Sequence, residues 1–159
     1  DYLTNMTNRA GFLLLAERNL NACQVHGKRS SLLFLDLDKF KNINDEYGHR
    51  EGDKALTAFA DFLRKTFDDS GLFARIGGDE FVVLLNDAKE KETQEKLKAL
   101  SESIEDYNHI NKKRYNLSFC YGVVDIEPDN EKNISELLIE SDLMMYGQER
   151  CNDIPIKGF

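Results

Sequence analysis

Residues 72–85 read Leu-Phe-Ala-Arg-Ile-Gly-Gly-Asp-Glu-Phe-Val-Val-Leu-Leu, and this stretch decides the fold. Two apolar, β-rich runs, LFARI and FVVLL, flank Gly77, Gly78, Asp79 and Glu80, which is the pattern of a β-hairpin. Two glycines before two acids permit φ > 0 and close approach of backbone to a ligand, as a phosphate site requires. An ordinary turn has the same composition. Upstream, residues 31–37 (SLLFLDL) form a nearly continuous apolar run, the mark of a strand buried on both faces, and residues 117–126 (LSFCYGVVDI) read as another strand.

Between these runs the periodicity is helical. Phe12, Leu15, Ala16 and Cys23 share a stripe that predicts a helix over about residues 8–26. Leu56, Phe59, Ala60, Leu63 and Phe67 do the same for 52–67, and Leu97, Leu100, Ile104 and Tyr107 mark an amphipathic surface helix over about 89–110. Asn133 with Glu136 is a capping-box signature before Ile134, Leu137, Leu138 and Met145, so a last helix is expected to about residue 146. Alternating helices and strands imply an α/β (α+β) fold in which helices cover one sheet of mixed strand direction.

The chain has 159 residues, with 21 Lys plus Arg against 29 Asp plus Glu, a net charge of -8 and 41% hydrophobic residues. That describes one soluble globular unit with a sizeable core. No apolar run approaches the ~18 residues of a membrane span, and there is no signal-peptide pattern, so no membrane contact by this domain is expected. Any membrane anchor of a full-length chain would lie elsewhere. Cys23, Cys120 and Cys151 are far apart and form no C-x-x-C pair, which argues against a disulfide framework or zinc site and fits a reducing, cytoplasmic setting. An acidic domain with no basic patch repels nucleic acid, so no nucleic-acid partner is expected.

The apolar run SLLFLDL ends in Asp36-Leu37-Asp38, where alternation puts both carboxylates on one face. A carboxylate at the end of a buried strand is costly unless it is paired or bound to a cation. With Asp79 and Glu80 of the hairpin, these acids would make an oxygen-rich Mg²⁺ site, provided the hairpin lies beside that strand; the bland alternative is solvated acids at loop edges. A second polar cluster follows: Phe40, Lys41, Asn44, Asp45, Gly48, His49, Gly52 and Asp53. A carboxylate can accept from guanine N1–H and the 2-amino group while an amide complements another edge atom, and Lys41 can meet a phosphate. By composition alone the cluster is a polar loop between helices.

Together these residues resemble a known family. Arg75-Ile76-Gly77-Gly78-Asp79-Glu80-Phe81 reads RxGGDEF, and the chain resembles the GGDEF domain of bacterial diguanylate cyclases, which join two GTP molecules into cyclic di-GMP. Asp1-Tyr2-Leu3-Thr4 with Asn8-Arg9 resembles the family's opening D-x-L-T-x-x-x-N-R. Residues 35–45 (LDLDKFKNIND) resemble its L-D-x-D-x-F-K-x-I-N-D, and Gly48-His49 with Gly52-Asp53 complete G-H-x-x-G-D. The motifs run in order across residues 1–159, read as a single GGDEF domain. A chain opening on this motif is expected to be a fragment that lacks an N-terminal sensory region.

The resemblance implies a nucleotidyl-cyclase-like palm, with a central, mainly antiparallel sheet flanked by helices and the GGDEF tip on a β-hairpin. It implies that Asp36, Asp79 and the Leu37 carbonyl hold Mg²⁺ (or Mn²⁺), with Glu80 assisting the metal or activating the attacking 3′-hydroxyl. Asn44 and Asp53 would read guanine; Lys41 and the backbone around Phe40 would meet the triphosphate; Gly77, Gly78 and His49 complete the substrate-binding set. Each domain would hold one GTP, so catalysis would need a homodimer.

Two departures from the family pattern stand out. Asp68-Asp69-Ser70-Gly71 occupies the place of the family's Arg-x-x-Asp inhibitory site, so weak product binding beside the hairpin is expected. After Tyr146, Glu149 and Asp153 stand where the family has a Lys and an Arg that contact triphosphate. One such charge is worth about 4 kcal/mol at ~4 Å and an effective dielectric of ~20, before solvent screening, so weak activity is predicted unless Arg150 or Lys157 compensates. The alternative reading is a catalytically degenerate module that binds GTP or mediates dimerisation.

Overall fold

The first strand, β1 (Ser30–Leu37), is buried on both faces from Ser30 to Leu35, as its apolar run requires. The computed structural model describes residues 1–67, 71–112 and 114–153, the side chains of 148–153 excepted. Around β1 stand β2 (Gly71–Arg75), β3 (Glu80–Asn86) and β4 (Phe119–Ile126), in the spatial order β2-β3-β1-β4. Helices α1 (Arg9–Val25), α2 (Phe40–Tyr47), α3 (His49–Phe67), α4 (Glu90–Asn111) and α5 (Ile134–Asp153) complete the chain.

Every pairing between these strands is antiparallel, as the family resemblance implies, and the mixed direction read from the pattern of elements alone is corrected. The reason is topological. Helical crossovers join β1 to β2 and β3 to β4, and in each case the joined strands point the same way, as a crossover demands. The hairpin inserts β3 between β1 and β2, and β1 lies between β3 and β4, so no two parallel strands touch. This is the split β-α-β arrangement.

The sheet carries one core on each face. Leu33, Leu35, Leu37, Phe81 and Val83 meet Leu56, Phe59, Leu63 and Phe67 of α3 and Leu97, Leu100 and Ile104 of α4. On the other face Leu32, Phe34, Val82 and Leu84 meet Phe12, Ala16 and Leu20 of α1 and Leu137, Leu138 and Met145 of α5. Each fully buried Leu or Phe contributes roughly 1.5–3 kcal/mol. At Gly122 a Cβ would lie 2.2 Å from the Ser141 carbonyl oxygen and 2.5 Å from the Met145 nitrogen, so α5 packs directly on the β4 backbone.

Local signals set the helix starts. The Asn8 side chain accepts from the Gly11 N–H at 2.9 Å, capping α1, and Asn133 accepts from the Glu136 N–H at 2.9 Å at the start of α5. The α1 stripe is Phe12, Ala16, Leu20 and Cys23; Leu15 is 38% exposed and lies off it. Residues 40–47, expected as loop, form α2, and α3 begins at His49 rather than Gly52. Phe40, Ile43 and Tyr47 of α2 share a core-facing stripe, but three apolar positions in eight residues are too short a run to mark a helix among so many polar neighbours. Helix α5 runs past residue 146 to Asp153.

Candidate active site

Strands β1 and β3 end side by side. Asp36 pairs in register with Glu80, and the Leu37 N–H donates to the Asp79 carbonyl at 3.2 Å. The acidic end of β1 and the hairpin turn therefore form one continuous backbone surface, which meets the condition on which the acidic-site reading depended. Asp36 and Asp79 are both half-buried, and Oδ1 of Asp36 is buried outright. On its other side Asp36 pairs with Cys120 of β4, whose thiol donates to Oδ1 of Asp38 at 2.9 Å.

Beyond Asp38 the chain turns directly into α2 through Lys39, at φ 53 and ψ 32. A non-glycine residue in this left-handed region costs roughly 1 kcal/mol. No side chain caps α2, so its first-turn amides and positive dipole end are suited to an anion. A cleft of about 880 Å³ is lined here by Asp36, Leu37, Asp38, Phe40, Lys41 and Asp79, with Arg114, Tyr115, Asn116, Ser118 and Cys120 among the residues opposite.

The corner between α2 and α3 is set by two glycines. Gly48 lies at φ 90 and ψ 162, a conformation that L side chains rarely adopt. At Gly52 a Cβ would lie 1.8 Å from Asn44 Oδ1 and 3.3 Å from Cζ of Phe40, so only glycine lets the Asn44 amide rest on the first turn of α3. Asp53, the next residue, is exposed and opens onto a neighbouring depression of about 420 Å³ with Arg50, Lys54 and Asp61. His49 is exposed at the start of α3.

The hairpin glycines do not act through positive φ, contrary to the sequence expectation; among the described glycines only Gly27 and Gly48 have it. What the turn needs is space, because a Cβ at Gly77 would lie 2.8 Å from Oε1 of Glu80. Arg75 closes the turn by donating to the Gly78 carbonyl from Nε at 3.0 Å and Nη2 at 2.8 Å, while Nη1 pairs with the Asp1 carboxylate at 3.2 Å. Asp1 also accepts from the Thr4 N–H at 2.8 Å, so the opening Asp-x-Leu-Thr segment braces the hairpin. Gly77 and Gly78 border a third depression, of about 480 Å³, with Asp1, Asn8, Arg9 and Arg75.

Glu80 lies on the α1/α5 face of the sheet, in the alternation of Val82. Burial pushes its carboxyl above the ordinary carboxylate value, the Asp79 and Asp142 charges raise it further, and Arg9 partly offsets this.

The structure thus gathers Asp36, Leu37, Asp79, Phe40 and Lys41 on one cleft and sets Asn44 at its α2–α3 corner. Asp53, Gly77 and Gly78 border adjoining depressions, and Glu80 occupies the strand end between. Residues 114–120, which wall the cleft opposite α2, were missed from sequence. Cys120 in an apolar strand reads as core, and only the β1–β4 register brings it beside Asp36. Residues 68–70 of the expected inhibitory position and the side chains of Glu149, Arg150 and Asp153 lie outside the described residues, as does Lys157.

The donor set fits a hard divalent cation. Asp36, Asp79 and backbone carbonyls offer oxygen only, which suits Mg²⁺. Among the described residues no three His, Cys, Asp or Glu side chains form a cage. Mg²⁺ is ordinarily bound by one or two carboxylates together with waters and substrate phosphates, so a site of this kind needs no third carboxylate.

An antiparallel sheet between helical layers, with acids at paired strand ends beside an uncapped helix, is the arrangement that the family resemblance implies for a nucleotidyl-cyclase-like domain. The sequence model of the GGDEF family, "Diguanylate cyclase, GGDEF domain", matches residues 1–152, and the chain belongs to this family. It is 30% identical over 149 residues to the probable diguanylate cyclase DgcE of Escherichia coli, covering 94% of this chain and 14% of that protein. It is 30% identical over 151 residues to the cyclic di-GMP phosphodiesterase NbdA of Pseudomonas aeruginosa, covering 95% of this chain and 19% of that one. The chain therefore spans less than a fifth of either relative. Among solved structures, the GGDEF domain of TpbB from Pseudomonas aeruginosa superposes with a TM-score of 0.81 at 31% identity, covering 94% of this chain and 88% of that one. That of DgcB from Caulobacter crescentus, solved with c-di-GMP, gives 0.83 at 22% identity, covering 96% and 88%, a likeness of fold. No described helix is long and apolar enough to cross a membrane.

Proposed function

We propose that this chain is a diguanylate cyclase domain that condenses two GTP molecules into cyclic di-GMP, with pyrophosphate leaving from each. The observation that supports the reading is that Asp36 and Asp79 lie at adjoining ends of paired strands and line one cleft of about 880 Å³ together with the start of α2. The whole of residues 1–159 is read as one GGDEF unit.

In this reading Asp36, Asp79 and the Leu37 carbonyl hold Mg²⁺ (or Mn²⁺), which neutralises charge developing on the phosphates when bound. Lys41 and the first amides of α2 orient the triphosphate, and the half-buried ends of β1 and β3 limit water around the reacting α-phosphate. Asn44 and Asp53 read the guanine edge from the α2–α3 corner. Glu80, whose carboxyl pKa burial and the Asp79 charge raise, is suited to take a proton from the attacking 3′-hydroxyl. A single cleft holds one nucleotide, so two copies must face each other for the two bonds of the cyclic product to form. GTP as substrate supports a cytoplasmic setting.

The alternative of a degenerate module rests on Glu149 and Asp153, and no described interaction adds to it. Calorimetry in Mg²⁺ tests the base assignment. GTP is expected to bind more tightly than ATP, because ATP leaves the carboxylate without its donor pair, at a cost of roughly 1–3 kcal/mol. Equal affinities would remove the assignment.

A further inference from the structure

The described part of the loop between α4 and β4, residues 114–118, is tied to α4 and to the α2–α3 corner. Helix α4 closes with Lys112 in the left-handed conformation, at φ 46 and ψ 41. Asn108 then grips Leu117 in both directions: its Nδ2 donates to the Leu117 carbonyl at 2.7 Å, and its Oδ1 accepts from the Leu117 N–H at 2.8 Å. Between these points Tyr115 turns toward the α2–α3 corner. Its hydroxyl donates to Oε2 of Glu51 at 3.0 Å, and its ring lies 5.2 Å from that of Tyr47. The Tyr47 hydroxyl donates back to the Arg114 carbonyl at 3.3 Å.

The two corner residues so held bracket the hinge. Tyr47 is the last residue of α2 and Glu51 lies in the first turn of α3, with Gly48 between them. Glu51 is followed by Gly52, against which Asn44 rests, and by Asp53. Any change in the angle between α2 and α3 moves Asn44 relative to Asp53; at the corner itself the Gly48 N–H bond to the Asn44 carbonyl, at 2.9 Å, and the close seat of Asn44 on Gly52 oppose it. The loop adds a restraint from a distance, since Tyr115 and Glu51 are 64 residues apart in sequence.

We propose that Tyr115, through its hydrogen bond to Glu51 and its ring contact with Tyr47, is a positioning residue that fixes the α2–α3 corner for recognition of the nucleotide base. This rests on the guanine reading of Asn44 and Asp53 given above. The bond is durable: burial and the Glu51 carboxylate push the Tyr115 phenol up to about 12, so it remains a donor throughout the working pH range. Charge-assisted bonds of this kind are the stronger ones, although partial exposure reduces the effect here.

Tyr115→Phe keeps the ring contact and removes only the hydroxyl. Calorimetry in Mg²⁺ on the unaltered chain and this variant, with GTP, ATP and inorganic tripolyphosphate, separates base from phosphate recognition. GTP affinity is expected to fall about five- to tenfold, the scale of one ordinary net hydrogen bond. Tripolyphosphate affinity should be unchanged, so that the GTP-to-ATP preference narrows. Unchanged GTP affinity would overturn the proposal, and so would an equal loss for GTP and tripolyphosphate, which would indicate phosphate contact or general loosening. Glu51→Ala removes the acceptor, together with the Lys54 ion pair at 3.1 Å, and gives the reading from the other partner should Tyr115→Phe fold poorly, with Lys54→Ala as the control for the ion pair. If the unaltered chain itself does not prefer GTP to ATP, the base assignment fails, and the positioning role falls with it.

Discussion

The two walls of the cleft are built in different ways. One wall, Asp36 through Tyr47, is a single contiguous stretch in which a strand end, a left-handed Lys39 and the start of α2 follow one another. The other, residues 114–120, reaches the site only because β4 pairs with β1, Asp36 opposite Cys120. The contiguous wall carries groups suited to metal and phosphate. The remote wall carries groups that hold the first in place. The difference teaches that one side of this cleft is encoded locally, whereas Asp79 and the opposite wall reach it only through sheet topology.

The sharpest way to break this comparison is to remove a carboxylate from the strand-end pair. Asp79→Asn keeps the Asp79 carbonyl bond to Leu37 and the hairpin, yet is expected to lower turnover by about a thousandfold, as loss of a metal-holding charge does. A thermal melt within a few degrees of the parent should accompany it. Turnover near the parent's would show that Asp79 holds no cation.

An intermediate effect is expected at the corner where the two walls meet. In Gly52→Ala the new methyl must displace Asn44 Oδ1, which lies 1.8 Å away, and the flexible amide can swing aside without unfolding the domain. The protein is therefore expected to fold while GTP affinity falls about tenfold, the scale of one hydrogen bond to a buried polar group, with ATP little changed. Parallel titrations of the two nucleotides check this.

The smallest effect concerns Glu80, and its sign follows from linkage. Its native pKa lies above the ordinary 4.5, so the folded protein holds the proton to higher pH than the unfolded chain. Stability at this site is therefore greatest below that ordinary value and is lost as pH rises through the native pKa. In EDTA, Glu80→Gln is expected to melt about a degree or two above the parent at neutral pH and to match it near pH 4. A constant difference across that range would contradict the assigned cause.

How far these features are legible in sequence divides along the same line. The hairpin, β1 and the α3 stripe are plain because each buries a regular apolar pattern. Helix α2 is not, since its core-facing stripe is only Phe40, Ile43 and Tyr47 over two turns. Strand direction is misread because helical crossovers imply parallel neighbours, and insertion of β3 between β1 and β2 cannot be read from periodicity. Asp36, Asp79 and Lys41 are singled out by residue type and family motif, and the fold lines one cleft with all three. Tyr115 and Glu51 are not, because their meaning lies in a hydrogen bond between residues 64 apart. The opening Asp1 is recognisable as a motif, but its task, pairing with Arg75, needs the fold.

The most direct test of the central claim is product formation. With GTP and Mg²⁺, and at protein concentrations high enough for two copies to meet, chromatography should show cyclic di-GMP and pyrophosphate accumulating. The initial rate should rise more steeply than linearly with protein concentration, and no cyclic product should form from ATP. GTP that is bound but remains intact in the concentrated, Mg²⁺-loaded protein would contradict the account.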